Sequence, residues 1–211
     1  MSRFNLIRSA LVLTAVVSAW LSPALAGPHE HEEGDVRVGR LPNGQLKLLF
    51  TGGMTVLPVI NSGPLTGWGL DEPGFFSIDE TIPDEDMSPL APGNNIMIEV
   101  VGAGLDNGLK SWLPGFGNYL GNGPLSVLSW NLGPDFTDTH SFWHIDPTTD
   151  GFVAPPGQTE WSATIRVIDT GSTGYLPSNP ITLTFAPEPT SLGLLALGGM
   201  LTLRRKRRRH T

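Results

Sequence analysis

Apolar and polar residues alternate along several short stretches of this chain, and a period of two is typical of β-strands with one buried face. Residues 35–39 (DVRVG) alternate, PNG at 42–44 supplies a turn, and residues 45–50 (QLKLLF) alternate again. Two alternating runs joined by a short glycine-containing turn predict a β-hairpin. The longest alternating run, residues 161–168, places four apolar side chains on one face: Trp161, Ala163, Ile165 and Val167.

Short strand-like runs continue along the middle of the chain, separated by clusters rich in Gly, Pro and Asn. They cover residues 54–60, 75–78, 95–101, 125–130, 140–145, 159–169 and 181–185. No part of residues 27–186 shows the 3.6-residue period of an amphipathic helix. We therefore expect an all-β domain over 27–186, a β-sandwich of jelly-roll-like or immunoglobulin-like type, with the Gly- and Pro-rich loop 61–94 covering one end.

The first 26 residues have the pattern of a secretory signal peptide. Arg3 and Arg8 accompany an apolar run at 10–21, and Ala24 and Ala26 form a small-residue cleavage site. This order of charge, apolar helix and A-x-A site predicts export and cleavage after Ala26. An uncleaved membrane anchor is the alternative, although the apolar run is short for a helix that spans a bilayer.

The C-terminus joins an apolar run to a block of positive charge. Residues 191–203 would form a helix about 20 Å long, shorter than the hydrocarbon core of a bilayer at about 30 Å. Six cations follow this run: Arg204, Arg205, Lys206, Arg207, Arg208 and Arg209. Because such cations stay on the cytoplasmic side, both ends of the chain predict an exported body with its basic tail left inside.

The tail resembles the PEP-CTERM sorting signal of bacterial exported proteins. Pro187, Glu188 and Pro189 form the PEP tripeptide, and the apolar run and the basic cluster follow in the order found in that family. The resemblance covers residues 187–211. It implies an exosortase-type processing enzyme, removal of a transient membrane helix, and delivery to the surface or extracellular matrix of a bacterium that makes exopolysaccharide. A plain tail anchor is the alternative.

The exported body is strongly acidic and lacks cysteine. The chain has a formal charge of −7, but residues 27–186 hold five Lys or Arg against nineteen Asp or Glu, a formal charge of −14. This charge argues against nucleic acid as a partner and favours polysaccharide or divalent cations. Without disulfides, the domain depends on core packing or on a bound metal.

The body is similar to a bacterial, His-containing, surface-anchored β-domain. The resemblance rests on HEHEEGDVRVGRLPNGQLKL (29–48), HSFWHIDPTTDGFVAPPG (140–157) and WSATIRVIDTGSTGYLPSNPITLTF (161–185). In that family an H-x-H-x-x-W-like segment precedes a glycine and a long strand that begins with an aromatic residue. Here Trp143 lies between His140 and His144, so the resemblance bears on the fold and not on a metal role.

Four histidines are candidate ligands for a metal ion of the zinc type. In an extended segment His29 and His31 project to the same side, about 7 Å apart, which suits chelation. His140 and His144 would lie about 13 Å apart in a single strand. They therefore need a bulge or turn between them, or only one of them is a ligand.

Oxygen ligands are available near both ends of the body. Asp35, Asp146 or Glu33 would complete a zinc site made from the two ends of the domain. Calcium is a second candidate, because carboxylates occur with turn residues at 84–86 (DED), 106–108 (DNG) and 146–151 (DPTTDG), although without EF-hand spacing. The alternative to any metal site is a solvated N-terminus, with the later histidines packing beside Trp143.

Motifs typical of enzymes do not stand out. The chain has no G-x-S-x-G, H-E-x-x-H or P-loop, and its many carboxylates single out no acid–base pair. We therefore predict a non-enzymatic exported surface or matrix protein with a structural or binding role. Two alternatives stay open: a metal-binding surface module, and a carbohydrate-binding or carbohydrate-active protein with a groove lined by Trp68, Trp112 or Trp143.

Overall fold

The computed structural model describes residues 34–189, and this part of the chain is built almost entirely of β-strands. The strands are β1 (Val36–Arg40), β2 (Leu46–Leu49), β3 (Thr55–Leu57), β4 (Val59–Ile60), β5 (Gly67–Leu70), β6 (Phe75–Ser77), β7 (Asn95–Leu105), β8 (Leu109–Trp112), β9 (Tyr119–Leu120), β10 (Ser126–Val127), β11 (Ser129–Pro134), β12 (Asp138–Thr139), β13 (Phe142–Ile145), β14 (Trp161–Asp169) and β15 (Ile181–Pro187). Two short 3-10 turns, Gly63–Leu65 and Pro83–Glu85, are the helical segments of these residues. The prediction of an all-β fold is thus confirmed for 34–189, and no helix in this range is long and apolar enough to cross a membrane.

The strands form three sheets. Their orders are β12-β6-β1-β2, β10-β9-β8-β13-β5-β4 and β11-β7-β14-β15-β3. Most neighbours are antiparallel, but β1 with β6, β9 with β10, and β15 with β3 are parallel. The parallel pair of β1 and β6 determines where the candidate site forms.

The predicted hairpin is confirmed as β1 and β2. The strands are antiparallel, and Arg40 lies opposite Leu46 at the turn. Gly44 has a φ of +81°, a left-handed conformation that glycine adopts without steric cost. Its N–H donates to the carbonyl of Leu41 at 3.0 Å, and the N–H of Leu41 donates to the carbonyl of Gln45 at 2.8 Å. The PNG tripeptide therefore closes the turn as its composition predicts.

The long alternating run forms β14, which lies between β7 and β15. Its four predicted inward-facing residues are all fully buried, and its intervening residues are partly exposed. Buried side chains from all three sheets join in one core. Within that core the rings of Trp143 and Phe185 lie 4.6 Å apart between centroids, so aromatic packing takes the place of disulfides in holding the sheets together.

The expected strand over 140–145 is shorter than predicted. β13 begins at Phe142, and His140 follows β12, which belongs to a different sheet. The chain therefore passes from one sheet to another between the two histidines, which separates their environments. At the other end, β15 includes Pro187 and so extends one residue past the predicted domain boundary at 186.

Several predicted features lie outside the described residues. They are the signal peptide with Ala24 and Ala26, the two flanking helices, His29, His31 and Glu33, and the basic tail from Arg204 to Arg209.

Candidate metal centre

Three potential metal ligands meet at one end of three neighbouring strands of the four-stranded sheet. Asp35 immediately precedes β1, Glu72 lies three residues before β6, and His140 immediately follows β12. One ligand atom from each residue lies within 4.8 Å of the ligand atoms of the other two. The side chains come from segments far apart in sequence, so the fold creates this cluster.

The register of the strands explains the meeting. In the parallel pair Val36 lies opposite Phe75, and in the antiparallel pair Thr139 lies opposite Phe75. Gly74 precedes Phe75, so its neighbour on one side is Asp35, which precedes Val36 in the parallel strand. Its neighbour on the other side is His140, which follows Thr139 in the antiparallel strand. The carboxylate and the imidazole therefore face each other across a glycine.

Gly74 has a tightly constrained position between them. A Cβ atom at this residue would lie 2.5 Å from Cε1 and 2.6 Å from Nδ1 of His140. Real Cβ contacts are not this short, so the imidazole can occupy its position only because residue 74 has no side chain. The glycine is explained by this close approach of the backbone to the ring.

A backbone hydrogen bond compensates in part for the burial of the Asp35 carboxylate. Its Oδ1 accepts a 2.7 Å bond from the N–H of Gly74, and the same N–H lies 3.3 Å from Oε2 of Glu72. In return, the N–H of Val36 donates to the carbonyl of Gly74 at 3.0 Å. A buried carboxylate needs such a donor, and here the same N–H also holds the two carboxylates beside each other.

The His140 ring is oriented through both of its nitrogens. Nδ1 lies 2.9 Å from the carbonyl oxygen of Asp71 and 3.8 Å from Oε1 of Glu72. Nε2 lies 3.1 Å from Oδ1 of Asp138. A carboxylate on the far nitrogen of a metal-binding imidazole orients the ring and strengthens its basicity, which is the position that Asp138 occupies.

The two titratable ligands have perturbed pKa values. Burial, together with a hydrogen bond to Asp35 and its negative charge, raises the pKa of Glu72 to about 7. Burial by itself lowers the pKa of His140, but the Asp71 carbonyl and the charges of Asp138 and the two ligand carboxylates outweigh it and raise that pKa. Below about pH 7 Glu72 therefore holds a proton that a metal cation would displace.

The donor set decides which class of ion fits. Two carboxylates and one imidazole match zinc and related divalent transition metals, which accept nitrogen and oxygen ligands. Calcium binds through oxygen atoms alone, so the imidazole disfavours it. The side chains of Glu72 and His140 are partly exposed, at 32% and 26%, which leaves solvent access to the cluster.

The Glu72 segment is anchored to the hydrophobic core. The indole Nε1 of Trp143 donates a 2.9 Å hydrogen bond to the carbonyl of Pro73. Trp143 is fully buried, so this bond connects the turn that carries Glu72 to the hydrophobic core. The predicted packing role of Trp143 and the position of the metal cluster are thus structurally linked.

His144 has a different environment from His140. It is fully buried, its Nδ1 accepts a 3.3 Å hydrogen bond from Nε1 of Trp112, and its Nε2 lies 3.3 Å from the carbonyl of Thr66. Burial lowers the pKa of its imidazole, although the Thr66 carbonyl and Asp146 oppose the shift. The structure does not bring His144 into the metal cluster, whose members among the described residues are Asp35, Glu72 and His140.

Three of the carboxylates proposed for calcium have hydrogen-bond or ion-pair partners within the protein: Asp146, Asp106 and Glu85. Asp146 accepts a 2.5 Å bond from Nζ of Lys110, and the N–H and hydroxyl of Thr148 bind its other oxygen. Burial raises the pKa of Asp146, but these bonds outweigh it and keep that pKa low. In the other two loops, Asp106 accepts bonds from Ser162, and Glu85 pairs with Lys47. These contacts explain Asp146, Asp106 and Glu85 as turn and ion-pair residues.

The tryptophans suggested for a carbohydrate groove are divided between core and surface. Trp143 is fully buried and cannot line a groove. Trp68 and Trp112 are half-buried, and Trp112 packs against Phe116 and Tyr119 at centroid distances of 6.2 and 4.8 Å.

Sequence reasoning found part of the metal cluster. It named His140 and, as an oxygen partner, Asp35, and the structure places both in one group. It missed Glu72, which lies among several other acids in the segment 61–94; a loop was expected there, but the structure places strands β5 and β6 in it. The tripeptide Glu72-Pro73-Gly74 before a strand was the available signal, but its meaning depends on the parallel pairing of β1 with β6.

Comparison with known proteins does not assign a family. No family model, no curated protein and no solved structure matches this chain.

Proposed function

We propose that the body of this protein is a metal-binding β-domain that holds a divalent transition metal of the zinc class through Asp35, Glu72 and His140. The observation that carries the proposal is the convergence of their ligand atoms within 4.8 Å from three distant segments. Asp138 would orient the imidazole from the opposite side, at 3.1 Å from Nε2.

The bound ion would have a structural role. It would join the beginnings of β1 and β6 to the end of β12, three neighbouring strands of one sheet. The chain has no cysteine, so a metal crosslink would supply the kind of constraint that disulfides give to other exported domains. Binding to the native state alone must raise the stability of the fold.

The test compares metal binding by the purified full chain and by matched variants. After dialysis against a chelator, zinc is titrated calorimetrically and the melting temperature is measured with and without zinc. We expect one bound zinc and a rise in melting temperature for the wild type, and loss of both in Asp35→Asn and His140→Gln. Glu80→Gln changes an exposed acid by the same charge and should behave as the wild type. No binding by the wild type, or equal binding by all variants, would contradict the proposal.

We further propose that the three sheets form a β-sandwich of jelly-roll-like or immunoglobulin-like type, carried by an exported surface or matrix protein. The shared core of the sheets supports the sandwich. The signal-peptide pattern, the PEP tripeptide and the basic tail support export and processing by an exosortase-type enzyme. The side chains of Glu188 and Pro189 are exposed to solvent.

Export and processing are tested by the mass of the extracellular form. We expect a product that begins after Ala26 and lacks the apolar and basic tail. Glu188→Gln should leave the chain in the membrane fraction, while Glu160→Gln, at an exposed acid of the same body, should be released normally. An extracellular form that retains residues 190–211 would contradict tail processing.

A further inference from the structure

The sorting tripeptide begins inside the folded sheet. β15 pairs in parallel with β3, with Phe185 opposite Thr55 and Pro187 opposite Leu57. The N–H of Glu188 then donates a 2.8 Å hydrogen bond to the carbonyl of Leu57. The first two residues of the tripeptide therefore continue the strand and do not belong to a separate linker.

The pairing is anchored on its inner side and exposed on its outer side. Leu57 and Phe185 are fully buried, and Pro187 is half-buried. Glu188 and Pro189 are exposed. The Glu188 carboxylate thus faces solvent while its backbone N–H is engaged in the sheet.

The position of the proline fits this arrangement. Pro187 has no N–H, so it can end a strand only where the ladder requires no donor from it. The following residue supplies the donor, and β3 is the short edge strand that accepts it. The tripeptide donates one hydrogen bond to this short edge strand, so we expect it to detach while Leu57 and Phe185 stay buried in the core.

We infer that pairing with β3 restricts access to the sorting tripeptide. This inference rests on the proposed sorting function. A processing enzyme that binds the tripeptide as an extended backbone can reach Pro187 and Glu188 only after they detach from Leu57. Processing that leaves the body fully paired must then cut on the C-terminal side of Glu188, and Pro187 and Glu188 stay with the mature domain.

An insertion that separates the tripeptide from the sheet tests whether its pairing with β3 slows processing. Gly-Ser-Gly-Ser placed between Ala186 and Pro187 keeps the pairs of Phe185 and Ala186 with β3 but removes those of the tripeptide. The control carries the same insertion after Gly117, where a Cβ atom would have no neighbour within 4 Å. In a pulse-chase experiment in the producing bacterium, we expect processing several-fold faster for the first insertion and an unchanged rate for the control.

Amide hydrogen exchange measures the pairing directly. In the labelled full chain in detergent micelles, the Glu188 amide should exchange at least about tenfold more slowly than in an unstructured peptide, and the insertion at 186/187 should abolish this protection. A Glu188 amide that exchanges at the peptide rate in the wild type would overturn the inference.

The two failures can be told apart. A chain that is processed equally fast with and without the insertion, although its Glu188 amide is protected, contradicts this inference alone. A wild-type chain that is never processed contradicts the sorting function and the inference together.

Discussion

Oδ1 of Asp35 accepts a 2.7 Å hydrogen bond from the N–H of Gly74, which joins the residue before β1 to the residue before β6. The two strands run parallel, so no hairpin turn holds their beginnings together. This bond, and the reciprocal bond from the N–H of Val36 to the Gly74 carbonyl, hold the beginnings of the two strands together. The candidate ligands are thus attached to strand ends and not to the middle of long loops.

The first prediction concerns Gly74. In Gly74→Ala the new Cβ would lie 2.5 Å from the His140 ring, which has to move away from the two carboxylates. We expect a loss of stability of about 1–3 kcal/mol and at least a tenfold loss of zinc affinity. Chemical denaturation and calorimetric titration measure the two effects.

Gly53→Ala is the matched control for this substitution. A Cβ at Gly53 would meet nothing within 4 Å, so stability and zinc affinity should both match the wild type. Wild-type zinc binding by Gly74→Ala would show that the His140 ring is not needed at its observed position.

The second prediction concerns the pH dependence of the metal-free domain. The pKa of Glu72 is raised to about 7, above its value of 4.5 in an unfolded chain. Its contribution is therefore complete below about pH 4.5 and is lost as the pH rises through about 7. Allowing for partial solvent screening, we expect the free energy of unfolding to fall by about 1–2 kcal/mol over this window.

Glu72→Gln removes this titration. Its stability should be nearly constant between pH 4.5 and 6.5, with a small decline above that because the pKa of His140 is also raised. Denaturation in the presence of a chelator at several pH values measures the difference. An equal slope for wild type and variant would assign the pH dependence to other groups.

The predictable part of this fold is the local part. The PNG turn and the alternating runs beside it contain everything needed to form β1 and β2, because the contacts of a hairpin are close in sequence. β14 was equally predictable from the sequence, since buried and partly exposed residues alternate along most of its length. The sequence could not indicate that β6 would pair in parallel with β1, because no short-range signal specifies such a pair.

The same distinction explains the partial prediction of the site. His140 and Asp35 were noticed because histidine is rare in this chain and because Asp35 begins a recognisable strand. Glu72 lies in an acidic, proline-rich loop where nothing distinguishes it from its neighbours until the register places it beside Asp35. Whether the tail signal is used is a question of recognition in the cell, and it stays a prediction.

The third prediction concerns Asp138. Its carboxylate lies 3.1 Å from Nε2 of His140, on the side of the ring opposite Glu72. Because Asp138 would orient the imidazole without binding the metal, Asp138→Asn should keep one zinc per chain but weaken its affinity about 10–100-fold. Asp138→Glu should recover part of the affinity, as measured by competition with a zinc indicator. Complete loss of stoichiometric binding would instead make Asp138 a direct ligand.

The fourth prediction separates the two histidines of the 140–145 run. His140→Ala removes a partly exposed ligand, so we expect loss of zinc binding with a stability change of about 1 kcal/mol or less in the metal-free protein. His144→Ala removes a fully buried ring and leaves Nε1 of Trp112 without its acceptor, so we expect a loss of about 2–4 kcal/mol.

The variant that loses less stability, His140→Ala, should lose zinc binding, and the variant that loses more stability, His144→Ala, should keep it. Because His144 lies outside the cluster of Asp35, Glu72 and His140, its alanine variant should still bind one zinc at temperatures where it is folded. His144→Gln, which keeps a polar side chain near Trp112, should restore part of the lost stability. Calorimetric titration at low temperature and denaturation in chelator give both quantities for each variant. Loss of zinc binding by a folded His144 variant would contradict a site made of Asp35, Glu72 and His140 without His144.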